Sequence, residues 1–128
     1  MANEHIIVVD DDETNVNLLK MLLEMDGFQV TACKTIDSAK TEATAETKAF
    51  IIDCYLARGA SGLDLLETIR SGQTKAARDT IVIMTSGDQR LREKALEKQA
   101  TLFILKPFSP TTLSQQLTQL IKQGSTNG

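Results

Sequence analysis

The chain has 128 residues, 41% of them hydrophobic and 24% charged, with a formal net charge of −3. That profile fits one soluble globular domain with a core of useful size. It leaves no basic patch for direct nucleic-acid binding, and its apolar runs are far too short to span a membrane.

Residues 1–5 (MANEH) lead straight into a strand and leave no room for a signal peptide, so the cytoplasm is the expected compartment. His5, the only histidine, stands before that strand and is expected at the surface. Residues 5–10 form a continuous apolar run ending in Asp10, the pattern of a strand buried on both faces. Residues 14–26 place Val16, Leu19, Leu22 and Leu23 on one helical stripe, and Gly27 reads as its C-terminal cap. Residues 28–33 alternate weakly, as an edge strand would. Residues 36–47, rich in Ala, Thr and Glu, predict a helix.

A third strand is expected at 49–53 and a loop at 54–61. Gly62 opens a helix to about Ser71, with Leu63, Leu66 and Ile69 inward. A fourth strand follows at 80–85, a charged helix at 89–99 and a fifth strand at 101–105. The last helix, 110–122, carries Leu113, Leu117, Leu120 and Ile121 on one face. Residues 124–128 read as a disordered tail or the start of a linker after a domain of 1–123. Alternating strands and helices predict an α/β fold: a doubly wound five-stranded parallel sheet with helices on both faces and helical crossovers. Cys33 and Cys54 have no metal-ligand spacing and read as small buried residues.

Polar residues recur where the strands end. Asp10-Asp11 follow Ile6-Ile7-Val8-Val9, Asp53 follows Phe50-Ile51-Ile52, Thr85 follows Ile81-Val82-Ile83-Met84, and Lys106 follows Leu102-Phe103-Ile104-Leu105. In an open parallel sheet these ends share one rim, where ligands bind. Each signal has a plainer reading. Asp10, Asp11 and Asp12 also suit the N-terminus of a helix, Asp12 as its cap; Thr85 also suits a strand, and Lys106 also suits solvent. Together they describe a site. Three carboxylates repel unless a cation compensates. Magnesium, or manganese, suits an all-oxygen set of Asp10, Asp11 and Asp53, with the backbone carbonyl of Tyr55 as a further oxygen. One divalent ion and the Lys106 ammonium bring three carboxylates near neutrality. Asp53 then suits an in-line nucleophile toward a phosphoryl group, with Thr85, Lys106 and the Ser86–Gly87 backbone N–H groups meeting its oxygens.

These residues resemble the receiver domain of bacterial two-component response regulators, over residues 5–122. The matching pieces are VVDD at 8–11, IID at 51–53, MTSG at 84–87 and LKPF at 105–108. The resemblance implies a flavodoxin-like strand order of 2-1-3-4-5 and a cis bond between Lys106 and Pro107. It implies Asp53 as phosphoacceptor, Asp10 and Asp11 as the magnesium-holding pair, Thr85 as the switch hydroxyl and Lys106 as the phosphoryl-contacting lysine. Phe103 falls at the aromatic position expected to turn inward once Thr85 moves.

The implied function is a phosphorelay switch. A histidine kinase or histidine phosphotransfer domain supplies the phosphoryl group, and the surface of the fourth helix, fifth strand and fifth helix changes. The chain would not be an enzyme acting on an external substrate, though it assists its own phosphotransfer and dephosphorylation. A monomer or a phosphorylation-linked homodimer is expected, with a downstream protein target and no membrane partner. A phosphorylation-independent binding module is the alternative. An aspartyl-phosphate hydrolase is a third reading, but such enzymes carry a second aspartate where this chain has Tyr55.

Ala57 replaces the usual proline, the loop before Gly62 looks lengthened, and Gln99 stands where glycine is frequent. If the turn at Gln99 is left-handed, it costs about 1 kcal/mol relative to glycine. Tyr55 and Gly87 flank the expected path of hydrolytic water, and Tyr55 is expected to shield the acyl phosphate.

Overall fold

The computed structural model describes residues 3–126. In chain order the elements are β1 His5–Val9, α1 Glu13–Met25, β2 Gln29–Cys33, α2 Ile36–Glu42, β3 Thr47–Asp53, α3 Gly62–Arg70, β4 Ile81–Ser86, α4 Leu91–Glu97, β5 Leu102–Leu105 and α5 Pro110–Thr126. The strands form one parallel sheet in the order β2-β1-β3-β4-β5. The α/β architecture, strand order and edge position of β2 are those expected from the sequence.

The apolar runs work because a strand presents successive side chains to opposite faces. From β1, Ile6 and Val8 enter a core with Val16, Leu19 and Leu23 of α1 and Leu113 and Leu117 of α5. Ile7 and Val9 enter the other core, with Leu63, Leu66 and Ile69 of α3 and Ala95 of α4. Burying each large aliphatic side chain contributes about 1.5–3 kcal/mol. A sheet covered on both faces leaves only its rims for polar chemistry.

The helix ends are set locally. Side-chain oxygens of Asp12, Thr35 and Ser61 accept from Asn15, Ser38 and Leu63 backbone N–H groups, capping α1, α2 and α3. Such caps contribute about 1 kcal/mol each. At the C-terminus of α1, Gly27 has φ +98°, its N–H donates to the Glu24 carbonyl, and the Phe28 N–H donates to the Leu23 carbonyl. This is a Schellman motif. It recurs after α3 at Gly72 and after α4 at Gln99.

Several expectations change. The second helix stops at Glu42 rather than residue 47. Thr44 and Thr47 end it: Thr44 N–H donates to the Thr47 hydroxyl, and Glu46 N–H to the Thr44 hydroxyl. These side chains take up backbone donors that a continuing helix would use, and β3 begins at Thr47. α4 spans Leu91–Glu97 rather than 89–99, bounded by an Asp88 turn and by Gln99. α5 runs to Thr126, past residue 122; Asn127 and Gly128 of the expected tail lie outside the described residues. His5 is half-buried rather than superficial. Its ring nitrogens lie 3.0 Å from the Thr47 hydroxyl and 2.9 Å from that of Thr31, joining β1 to both neighbours.

Candidate phosphoryl and metal site

The strand register brings the polar ends together. Val9 lies beside Ile52, Asp53 pairs with Thr85, and Ser86 pairs with Leu105. Asp10, Asp53, Thr85 and Lys106 therefore stand at or just past the ends of β1, β3, β4 and β5. Backbone bonds hold these exits: Asp10 N–H donates to the Cys33 carbonyl, Cys54 N–H to Thr85, and Lys106 N–H to Ser86.

The three carboxylates converge. Asp10, Asp11 and Asp53 each offer an oxygen, all within 4.8 Å of one another. Asp10 is buried, Asp53 half-buried and Asp11 exposed. Asp12 N–H donates to Asp10 Oδ1 at 2.9 Å, while Asp12 caps α1 and stays out of the cluster. Lys106 Nζ donates to Asp53 Oδ2 at 2.7 Å and to Asp10 Oδ2 at 3.4 Å. The other Asp53 oxygen accepts from Tyr55 N–H at 3.1 Å. Two backbone features frame this: the Lys106–Pro107 bond is cis, as expected, and a 3-10 turn at Ala57–Gly59 with Arg58 at φ 61° occupies the loop between β3 and α3.

The charges respond to their surroundings. Burial pushes the Asp10 carboxyl above its ordinary value, although the Asp12 N–H and Lys106 pull it down. Burial disfavours the Lys106 ammonium, yet its bond to Asp53 and the charges of Asp53 and Asp10 outweigh that, leaving its pKa raised. An all-oxygen donor set with one carboxylate open to water fits a hard divalent cation.

Thr85 is buried, and so is Ser86, whose side-chain oxygen accepts from Asp88 N–H at 3.0 Å. Gly87 leaves open space around its Cα. Phe103 is only 5% exposed and already packs in the core with Met84 and Ala95. Phe103, expected to turn inward once Thr85 moves, is buried in this conformation.

Sequence reasoning missed two parts. Gly62 packs so closely on β3 that a Cβ would collide with the Asp53 carbonyl oxygen and lie 2.7 Å from Ile52 Cγ2. Its signal was a glycine at a helix start, read as the opening of that helix and as a measure of loop length. Asp88, just before the expected charged helix, and Arg90 within it were passed over, yet they pair at 2.9 Å beside the site.

The family model of the response regulator receiver domain matches residues 6–118. The transcriptional regulatory protein GltR of Pseudomonas aeruginosa is 32% identical over 119 residues, covering 92% of this chain and 49% of GltR. The chain spans about half the length of the curated relatives it matches. A response regulator receiver domain protein from Clostridium thermocellum superposes with a TM-score of 0.84 at 25% identity, covering 97% of this chain and 98% of that one. A CheY-like receiver domain protein from Methanospirillum hungatei JF-1 shares the fold at a TM-score of 0.87 and 22% identity, over 99% and 100% of the two chains.

Proposed function

This chain belongs to the response regulator receiver domain family, and from that premise we propose that it is a phosphoacceptor switch of a two-component phosphorelay. The observation that carries the reading is the Lys106–Asp53 contact of 2.7 Å within the Asp10, Asp11 and Asp53 cluster. A nucleophilic carboxylate is held there by a cation and two acidic neighbours, on the rim where a donor can reach it.

The donor is phosphohistidine on a histidine kinase or histidine phosphotransfer domain. An Asp53 carboxylate oxygen attacks phosphorus in line, the P–N bond breaks, and imidazole leaves with the electron pair. Asp10, Asp11, Asp53 and the Tyr55 carbonyl would hold magnesium or manganese, which supplies charge neutralisation to the phosphoryl oxygens. Lys106 contributes its ammonium to the same oxygens once Asp53 is phosphorylated. Thr85 turns its hydroxyl toward the phosphoryl group, and the Ser86 and Gly87 N–H groups border it.

A groove of about 490 Å³ beside Asp10 and Lys106, lined by Leu18, Leu19, Pro107 and Phe108, supports docking of the donor there. Leu96 and Leu105, each 41% exposed, support α4, β5 and α5 as the surface read by a downstream protein. With Phe103 buried in the core, Thr85 and the turn after β4 are the parts this reading expects to move. Phosphorylation shifts their population rather than building a new fold. Among the described residues no helix is long and apolar enough to cross a membrane. We take the switch as cytoplasmic, a monomer or a phosphorylation-linked homodimer.

Incubation with acetyl phosphate and magnesium tests this by intact mass. The wild type gains one phosphoryl group and Asp53→Asn gains none. Equal gain in both, or none in either, contradicts the proposal and favours a phosphorylation-independent binding module.

A further inference from the structure

Tyr55 is tied to the site at both ends. Its backbone N–H donates to Asp53 Oδ1 at 3.1 Å, and its backbone pairs in an isolated antiparallel bridge with Ser61. Its side chain crosses from the turn after β3 to the turn after β4, where the phenol hydroxyl donates to Asp88 Oδ2 at 3.1 Å. The crossing lies just past the paired strand ends Asp53 and Thr85. Tyr55 remains 57% exposed, so packing alone does not fix its ring.

Asp88 is held firmly. Its N–H donates to the Ser86 side-chain oxygen at 3.0 Å. Its carboxylate accepts from Arg90 N–H at 3.0 Å, Arg90 Nε at 2.9 Å and Arg90 Nη2 at 3.0 Å. This fork fixes both oxygens in orientation. Between the two turns, Gly87 contributes no side chain, and nothing lies within 4 Å of where its Cβ would stand. The Tyr55 side chain therefore spans a mouth that the β4 turn leaves open.

We propose that Asp88, braced by Arg90, is a positioning residue that latches Tyr55 across the mouth of the Asp53 site and thereby sets the lifetime of the phosphoryl group there. The inference rests on Asp53 being the phosphoacceptor. In the reaction concerned, a water oxygen attacks phosphorus and the bond to the Asp53 oxygen breaks. The carboxylate and inorganic phosphate result, and the water's proton passes to phosphate and solvent. A latched ring obstructs the approach of that water; an unlatched ring swings away.

Two measurements test it. Tyr55 is the single tyrosine and the chain has no tryptophan, so tyrosine emission reports this residue alone. A carboxylate that accepts from a phenol quenches it, and Asp88→Ala is expected to brighten emission. Unchanged emission overturns the latch before any phosphorylation. Next, proteins phosphorylated with acetyl phosphate and magnesium are freed of donor and their decay is followed. Tyr55→Phe and Asp88→Ala should each decay about threefold to tenfold faster, the effect of losing one hydrogen bond. The double variant should decay no faster than either single one. Equal lifetimes or additive effects overturn the latch alone. Absence of uptake in every protein overturns the Asp53 reading and the latch with it.

Discussion

Gly62 shows how a single absent side chain serves the site. Its N–H donates to the Cys54 carbonyl at 2.8 Å, and the β3 backbone fills the space a Cβ would need. Relief in Gly62→Ala has to come from the backbone that carries Asp53. Overpacking of this kind costs about 1–3 kcal/mol, so a fall in the urea midpoint of corresponding size is expected. An unchanged midpoint would show that the turn yields freely. Cys54 lies next to Asp53 and is buried. Burial first, and the Asp53 charge second, push its thiol up to about 11 from 9.0. At one pH it carries about a hundredfold less thiolate than an ordinary cysteine. A thiol reagent at pH 8 should therefore leave Cys54 unmodified until denaturant is added. The sign for stability follows: the folded state favours the neutral thiol, so this contribution is complete below pH 9 and is lost as pH rises toward 11. Asp53, Thr85 and Lys106 were legible in the sequence because each interrupts an apolar run. Gly62 and Asp88 were not, since their importance lies in neighbours from another segment.

At the scale of elements, α4 is the short helix beside the turn that follows β4. Its C-terminus carries Gln99 at φ 74°, with the N–H groups of Gln99 and Ala100 donating to the Leu96 and Ala95 carbonyls. The left-handed turn expected conditionally from the sequence is present, in a position that glycine occupies without strain. Arg70 compensates from α3. It donates to the carbonyls of Gln99, Arg78 and Thr80 and to the Thr101 hydroxyl, and Lys98 pairs with Glu67. Gln99→Gly keeps the Arg70 bond, which uses a backbone oxygen. It relieves about 1–2 kcal/mol of left-handed strain and loses about 0.4–1 kcal/mol through a freer unfolded chain. A net gain of about 0.5–1 kcal/mol in chemical denaturation is expected. A loss would mean that the Gln99 side chain contributes packing. Strands were easy to read because each apolar run is short and ends at a polar residue. Helices with weak stripes were harder. The overlong reading of α2 came from Ala- and Thr-rich composition, and the Thr44–Thr47 turn that stops it is made of side-chain bonds that no periodicity displays.

For the whole molecule, the sheet order turns scattered residues into one site, and the register of β3 with β4 sets Asp53 beside Thr85. The order itself was implied by four short motifs rather than by composition, because strand pairing is a long-range property. The same convergence makes folding work against repulsion among Asp10, Asp11 and Asp53, with Lys106 as the protein's own counter-charge. A divalent ion binding only the folded chain should add about 2.7 kcal/mol at a hundredfold excess over its dissociation constant. Magnesium is therefore expected to raise the melting temperature by several degrees in the wild type. Asp11→Asn should lose most of that rise, since it removes one negative charge from the donor set without touching the core. An equal rise in both would place the ion elsewhere. The central claim is that Asp53 carries the phosphoryl group, and borohydride trapping tests it most directly. An acyl phosphate on aspartate is reduced to homoserine, which peptide mass mapping locates. We expect homoserine at position 53 after treatment with acetyl phosphate, magnesium and borohydride. Homoserine at another aspartate, or none in a protein shown to be phosphorylated, would contradict the claim.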